Sequence, residues 1–205
     1  MRLSVINLKG GTGKTTSAMF LAAGLNRKGR TLLIDADPQG SALSWSESAK
    51  ELPYPVIGLP VKDLQKRVPT FARDYEHIVI DTPPGEVAIV RSSLLAADTA
   101  LITISQGLLD IDRLRPTLEL LEEVEDFVTL DVNVLLTRVR KGTKSSKAAR
   151  EILTELELDV LDAEITLLEV YANALGLVPE DLAEYGEVLE ELLKGEASGV
   201  DGAVA

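Results

Sequence analysis

Apolar and polar positions along this chain fall into short unbroken runs that alternate with longer segments of helical period. The short runs are Leu3–Leu8, Thr31–Asp35, His77–Asp81, Thr99–Ile104 and Val132–Leu136. Each is rich in leucine or β-branched residues and bounded by polar residues, glycine or proline, which reads as a strand buried on both faces. The proline-spaced stretch Pro53–Pro60 is expected to hold one more. Helical spacing covers Lys14–Lys28, Ser41–Lys50, Lys62–Arg73, Leu114–Val124, Ser145–Leu156 and Leu182–Leu193, and Gly29 stands where the first of these should stop. Strands alternating with helices predict an α/β fold of three layers around a doubly wound, mostly parallel central sheet. With no repeat and no dividing linker, the expected organisation is one domain over 1–194 and a flexible acidic tail over 195–205.

Composition narrows the chemistry. At 205 residues, 45% hydrophobic and 26% charged, the chain can bury a large core. Cysteine is absent, which excludes disulfides, thiolate metal sites and iron–sulfur ligation; a lone histidine, His77, argues against a histidine metal centre or a His-dependent triad. No run approaches the roughly 18 apolar residues of a membrane span. A strand begins within two residues of Met1, leaving no room for a signal peptide, so a cytoplasmic location is expected. The net charge of −12 hides a polarity: six basic residues and no acidic one lie between Arg138 and Arg150, whereas fifteen acidic residues and one lysine follow.

The densest chemical signal is Lys9-Gly10-Gly11-Thr12-Gly13-Lys14-Thr15-Thr16, set between the first strand and the first helix. Consecutive glycines let backbone N–H groups wrap phosphate oxygens, and the helix opening at Lys14 adds its positive dipole end. Lys14 is then expected to reach the β- and γ-phosphates and the Thr15 hydroxyl to ligate Mg²⁺. The ordinary motif has a glycine five residues before Gly13, where this chain has Leu8 and adds Lys9. Ligands of such sheets bind beyond the carboxyl ends of the strands, and two strands end there in acid: Asp35-Ala36-Asp37-Pro38-Gln39 and Asp81-Thr82-Pro83-Pro84-Gly85. Carboxylates so placed suit support of a phosphate-bound Mg²⁺.

These blocks, with Ser44-Trp45-Ser46, Leu108-Leu109-Asp110 and Leu135-Leu136-Thr137-Arg138, resemble the ParA/MinD group of deviant-Walker P-loop ATPases, and most of all its short ParA-type (ParF-like) partition proteins. The resemblance spans roughly 2–175. It implies ATP/ADP and Mg²⁺ as cofactors, with Gly10, Gly11, Thr12, Gly13, Lys14, Thr15, Thr16, Thr137 and Arg138 around the nucleotide. It makes Lys9 the lysine that crosses an ATP-bound homodimer to the other subunit's phosphates, Asp37 the residue orienting the attacking water, and Thr15, Asp37 and Asp81 the metal-side groups. Lys9, Lys14 and Asp37 are thus the implied catalytic residues, and Asp110 falls near the dimer interface. Thr137 departs from the asparagine common in the group, Gln106-Gly107 replaces a Pro-Ser pair, and the chain has no room for the N-terminal DNA-binding extension of longer members.

The group also implies non-specific DNA binding by the ATP form, with Arg138, Arg140, Lys141, Lys144, Lys147 and Arg150 as candidate phosphate contacts; a solvated face reads the same residues equally well. The implied function is DNA segregation, moving a plasmid or chromosomal locus: the dimer loads onto nucleoid DNA and a ParB-like or small centromere-binding protein stimulates slow hydrolysis and release. Two alternatives remain: a positioning ATPase of the same build for a protein cargo, and a metabolic P-loop enzyme. No membrane partner is expected, because the apolar stripe of Leu182–Leu193 is backed by a densely acidic face.

Overall fold

The computed structural model describes residues 1–49, 51–167, 171 and 174–200. Its elements follow the expected alternation: β1 (Arg2–Ile6), α1 (Lys14–Asn26), β2 (Thr31–Asp35), α2 (Ser41–Ser48), β3 (Val56–Gly58), α3 (Leu64–Phe71), β4 (His77–Asp81), α4 (Val87–Leu94), β5 (Thr99–Ser105), α5 (Leu108–Asp112), α6 (Arg115–Glu125), β6 (Asp131–Thr137), α7 (Lys144–Glu155), β7 (Asp159–Val160) and α8 (Tyr185–Val200). The strands form one sheet in the order β3-β2-β4-β1-β5-β6-β7, with parallel pairing throughout.

The period of two along each strand divides the core. Leu3, Val5, Leu33, Val79, Leu101 and Leu135 face α1, α2 and α8. Ile6, Ile102, Ile104, Val134 and Leu136 face the other way, into α4, α6 and α7, while Leu32, Ile34, Ile78 and Ile80 pack on α3. Gly24 matters to the first layer. A Cβ there would lie 2.7 Å from a Leu189 methyl, so glycine is what lets α1 and α8 approach closely. Across that seam the Ser17 and Tyr185 hydroxyls bond at 3.0 Å.

Three differences from the sequence reading are instructive. β1 stops at Ile6 because Asn7 turns the chain: its side-chain NH₂ donates to the Thr103 carbonyl (2.8 Å) and its side-chain oxygen accepts the Lys9 N–H (2.8 Å). The short elements α4, α5 and β7 carried too little periodicity to be anticipated. α8 runs to Val200, so residues 195–200 extend a helix where a flexible tail was expected; residues 201–205, and Lys50 at the end of the expected second helix, lie outside the described residues. Among the described residues no helix is long and apolar enough to cross a membrane.

Candidate functional site

The ends of β1, β2 and β4 meet at one edge of the sheet, and the glycine loop crosses in front of them. Gly11 and Gly13 take φ of 76° and 91°, the left-handed region open to glycine. Gly13 starts α1 with no side-chain cap, so the first N–H groups of that helix remain available to an anion. The loop is braced from below. The Thr12 hydroxyl bonds that of Thr103 (3.0 Å), and the Thr137 hydroxyl donates to the carbonyls of Thr12 (2.8 Å) and Ile104 (3.2 Å). At the entrance, Leu8 donates its N–H to the Thr117 hydroxyl and accepts the Gly85 N–H at its carbonyl.

A cleft of about 210 Å³ opens over the loop, lined by Gly10, Gly11, Gly13, Lys14, Thr15, Thr16, Asp37, Ser41, Thr82 and Pro84. Lys14 is buried, with its ammonium 3.0 Å from the Lys9 carbonyl. Burial lowers its pKa, and the negative charges of Asp81 and then Asp37 pull it back up. The three aspartates have distinct situations. Asp35 is structural, accepting the N–H groups of Asp37 (3.0 Å) and Leu43 (2.9 Å); burial raises its pKa against those bonds. Asp37 accepts the Gln39 N–H through one oxygen (2.8 Å) and lines the cleft. Asp81 is fully buried, and neither oxygen reaches a hydrogen-bond partner among the described residues. Its pKa is pushed up to about 7, mostly by burial, although the nearby Thr15 hydroxyl and Lys14 ammonium hold the rise back.

A buried carboxylate in that condition calls for a cation, so the donor set fits Mg²⁺ with Thr15 and Asp37 beside it. No three His, Cys, Asp or Glu side chains among the described residues form a metal site by themselves, which leaves the remaining ligands to phosphate oxygens and water. Lys9 stands at the rim, its ammonium paired with the Asp110 carboxylate at the start of α5.

A second cleft, about 280 Å³, shares Gly11, Gly13 and Thr16 with the first and runs on to Thr137, Arg138, Ile165, Thr166, Leu167, Tyr171 and Tyr185. Its aromatic and apolar walls suit a nucleobase. Two side chains of the expected nucleotide set are spent on the loop itself. The Thr137 hydroxyl is taken up by backbone carbonyls, so it packs under Gly13 and has no hydrogen left for a base. The Thr12 side chain likewise points into the protein and leaves only its backbone to the loop.

The basic segment also divides. Arg138, held at φ 54°, leans back to the Gly11 carbonyl (3.1 Å) and belongs to the second cleft. Arg150 is tied down by the Glu164 carboxylate (2.9 Å) and the carbonyls of Val160 and Asp162. Lys141 lies 3.9 Å from Glu184. Among the described residues, Arg140, Lys144 and Lys147 of the expected set present exposed side chains with neither an ion pair nor a side-chain hydrogen bond. Thr117, Tyr171 and Glu184, which shape the two clefts, gave no sequence signal: each is a common residue outside any motif.

Residues 3–195 match the family described as the CobQ/CobB/MinD/ParA nucleotide binding domain. The maintenance of carboxysome distribution protein A of Gloeobacter kilaueensis is 32% identical over 93% of this chain and 93% of its own length. The protein of the same name from Halothiobacillus neapolitanus is 29% identical over 84% and 82%. The chromosome-partitioning ATPase Soj of Thermus thermophilus, at 32%, aligns over 60% and 62%. Among solved structures, Cyanothece McdA superposes with a TM-score of 0.78 (22% identity, 94% of this chain, 98% of that one), and an ATP complex of a McdA variant with 0.76 (22%, 94%, 96%). Cobyrinic acid a,c-diamide synthase of Mycobacterium smegmatis with ADP and magnesium gives 0.77 (20%, 97%, 96%).

Proposed function

The chain belongs to the CobQ/CobB/MinD/ParA nucleotide-binding family, and from that membership we propose that it is a Mg²⁺-dependent ATPase that spaces a protein cargo, such as a carboxysome-like microcompartment, over nucleoid DNA. The observation that carries the cargo is coverage. Relatives named for carboxysome distribution align over 80–93% of their lengths, whereas those named Soj or for chromosome partitioning align over 59–74% of theirs. The motifs alone put plasmid or chromosomal partition first and the protein cargo second; the relatives reverse that order. The stimulating partner is accordingly a protein on the cargo rather than a centromere-binding one.

The backbone N–H groups from Gly10 to Lys14 hold the phosphates of ATP, and the Lys14 ammonium neutralises their β and γ oxygens. When bound, Mg²⁺ supplies further positive charge there, and Thr15, Asp37 and Asp81 are the residues that hold it, directly or through water. Asp37 keeps one carboxylate oxygen clear of the Gln39 N–H, available to orient the attacking water. Lys9 exchanges Asp110 for the partner subunit's phosphates when two ATP-bound chains close face to face. Arg140, Lys144 and Lys147 contact DNA phosphates without reading bases.

Deleting the gene in its own host tests the cargo. Expected are clustered cargo foci with unchanged inheritance of plasmids and chromosome. Raised DNA loss with evenly spaced protein foci refutes it.

A further inference from the structure

We propose that Glu184 is the positioning residue of the nucleoside cleft: its carboxylate fixes Thr166 and Tyr171, which wall the pocket that receives the purine nucleoside. This deepens, and rests on, the nucleotide reading above. Among the described residues each carboxylate oxygen has one hydrogen-bond donor, and the Lys141 ammonium lies 3.9 Å from the one that takes Thr166. The Thr166 hydroxyl gives its hydrogen at 2.6 Å and the Tyr171 phenol at 2.5 Å, lengths typical of bonds to an ionised acceptor. Both donors line the 280 Å³ cleft beyond the glycine loop. Burial, and then the carboxylate itself, raise the Tyr171 pKa, so the phenol stays protonated and donating.

The surroundings point the same way. The Tyr171 ring meets Phe20 and Tyr185 edge-on at 5.5 and 5.6 Å, so its carbon edge rests on aromatic neighbours while its hydroxyl is held by Glu184. Glu184 is delivered by an unusual backbone: Ala183, just before it, holds φ at 46°, with its N–H on the Asp181 carboxylate. A left-handed alanine persists only where its surroundings over-determine it, and here it aims the first residue before α8 at the cleft wall. With the Thr137 hydroxyl bonded to the loop and the Tyr185 hydroxyl to Ser17, Thr166 and Tyr171 stand beside Thr16 as the hydroxyl-bearing walls of the nucleoside end.

Because Glu184 touches no part of the glycine loop, its removal should harm the nucleoside end and spare the phosphate end. The test uses the full chain as wild type, Glu184→Ala and Tyr171→Phe, with calorimetric titration of ATP and of inorganic tripolyphosphate, both with Mg²⁺. Expected for Glu184→Ala is a loss of ATP affinity of about ten-fold, about 1.4 kcal/mol, with tripolyphosphate unchanged. Tyr171→Phe, which keeps the ring and one of the two bonds, should lose about three-fold on ATP alone. It carries the test by itself if the alanine variant does not fold. ATP binding unchanged in the folded variants, or an equal loss on both probes, overturns the assignment. A wild-type chain that fails to bind ATP overturns the nucleotide reading itself, and this assignment with it.

Discussion

Asparagine at position 110 probes the step on which assembly depends. In the single chain Lys9 is paired with Asp110, the two side chains being 26% and 18% exposed. A pair so shielded is stronger than a loose surface pair, and about 1 kcal/mol is a fair value for it. In the proposed dimer both protomers must give it up, so the two pairs together oppose closure by about 2 kcal/mol, or about thirty-fold in the dimer dissociation constant. Asparagine keeps the shape and one oxygen of Asp110 but removes its charge. With a non-hydrolysable ATP analogue and Mg²⁺, sedimentation equilibrium should find Asp110→Asn dimers about thirty-fold tighter than wild type. Lys9→Ala should leave monomers. A folded Asp110→Asn protein that dimerises no better than wild type refutes the exchange, since the ammonium would then owe nothing to its resting partner.

The Asp81 carboxyl, raised from 3.8 to about 7, gives a pH signature. Its neutral form favours the folded state, so the associated stability is complete below about pH 4 and is lost as pH rises through about 7. Without Mg²⁺, urea unfolding should show wild type losing about 4 kcal/mol relative to Asp81→Asn between pH 4 and pH 8; parallel curves contradict it. On DNA, alanine at Arg140, Lys144 or Lys147 should lower the slope of log K against log salt by about 0.9 for each phosphate contact removed. Arg150→Ala should instead lower the melting temperature and leave that slope alone, because its guanidinium holds β7 and the segment after it; fluorescence anisotropy and thermal melts separate the two.

What could be read from residues alone was whatever repeats or sits in sequence order. The central strands announce themselves because both their faces are buried, and the glycine loop and strand-end aspartates are consecutive residues whose spacing carries their geometry. What stayed hidden was where partners distant in sequence meet. Nothing local says that the Thr137 hydroxyl ends on the Thr12 carbonyl, 125 positions away. The Arg138–Arg150 segment looked uniform as a charge run, yet its first and last members are engaged by partners at Gly11 and Glu164. α5 is only 5 residues long, too few turns for a periodic stripe to stand out, and α4 opens on the unbroken apolar run Val87-Ala88-Ile89-Val90, which shows no helical alternation. The helix through 195–200 was masked by small and acidic residues, although its preceding turns pack Val188, Leu189 and Leu192 into the core.

Trp45, the chain's one tryptophan, has its indole in the core and its ring N–H on the Leu177 carbonyl at 2.8 Å. It rides on α2, which begins four residues after Asp37, while Leu177 lies between Tyr171 and Glu184. A native fluorophore therefore bridges the helix that follows Asp37 and the segment that carries Leu177. Its emission colour and quenching by iodide report, with no label attached, whether those two parts stay clasped or separate during a turnover.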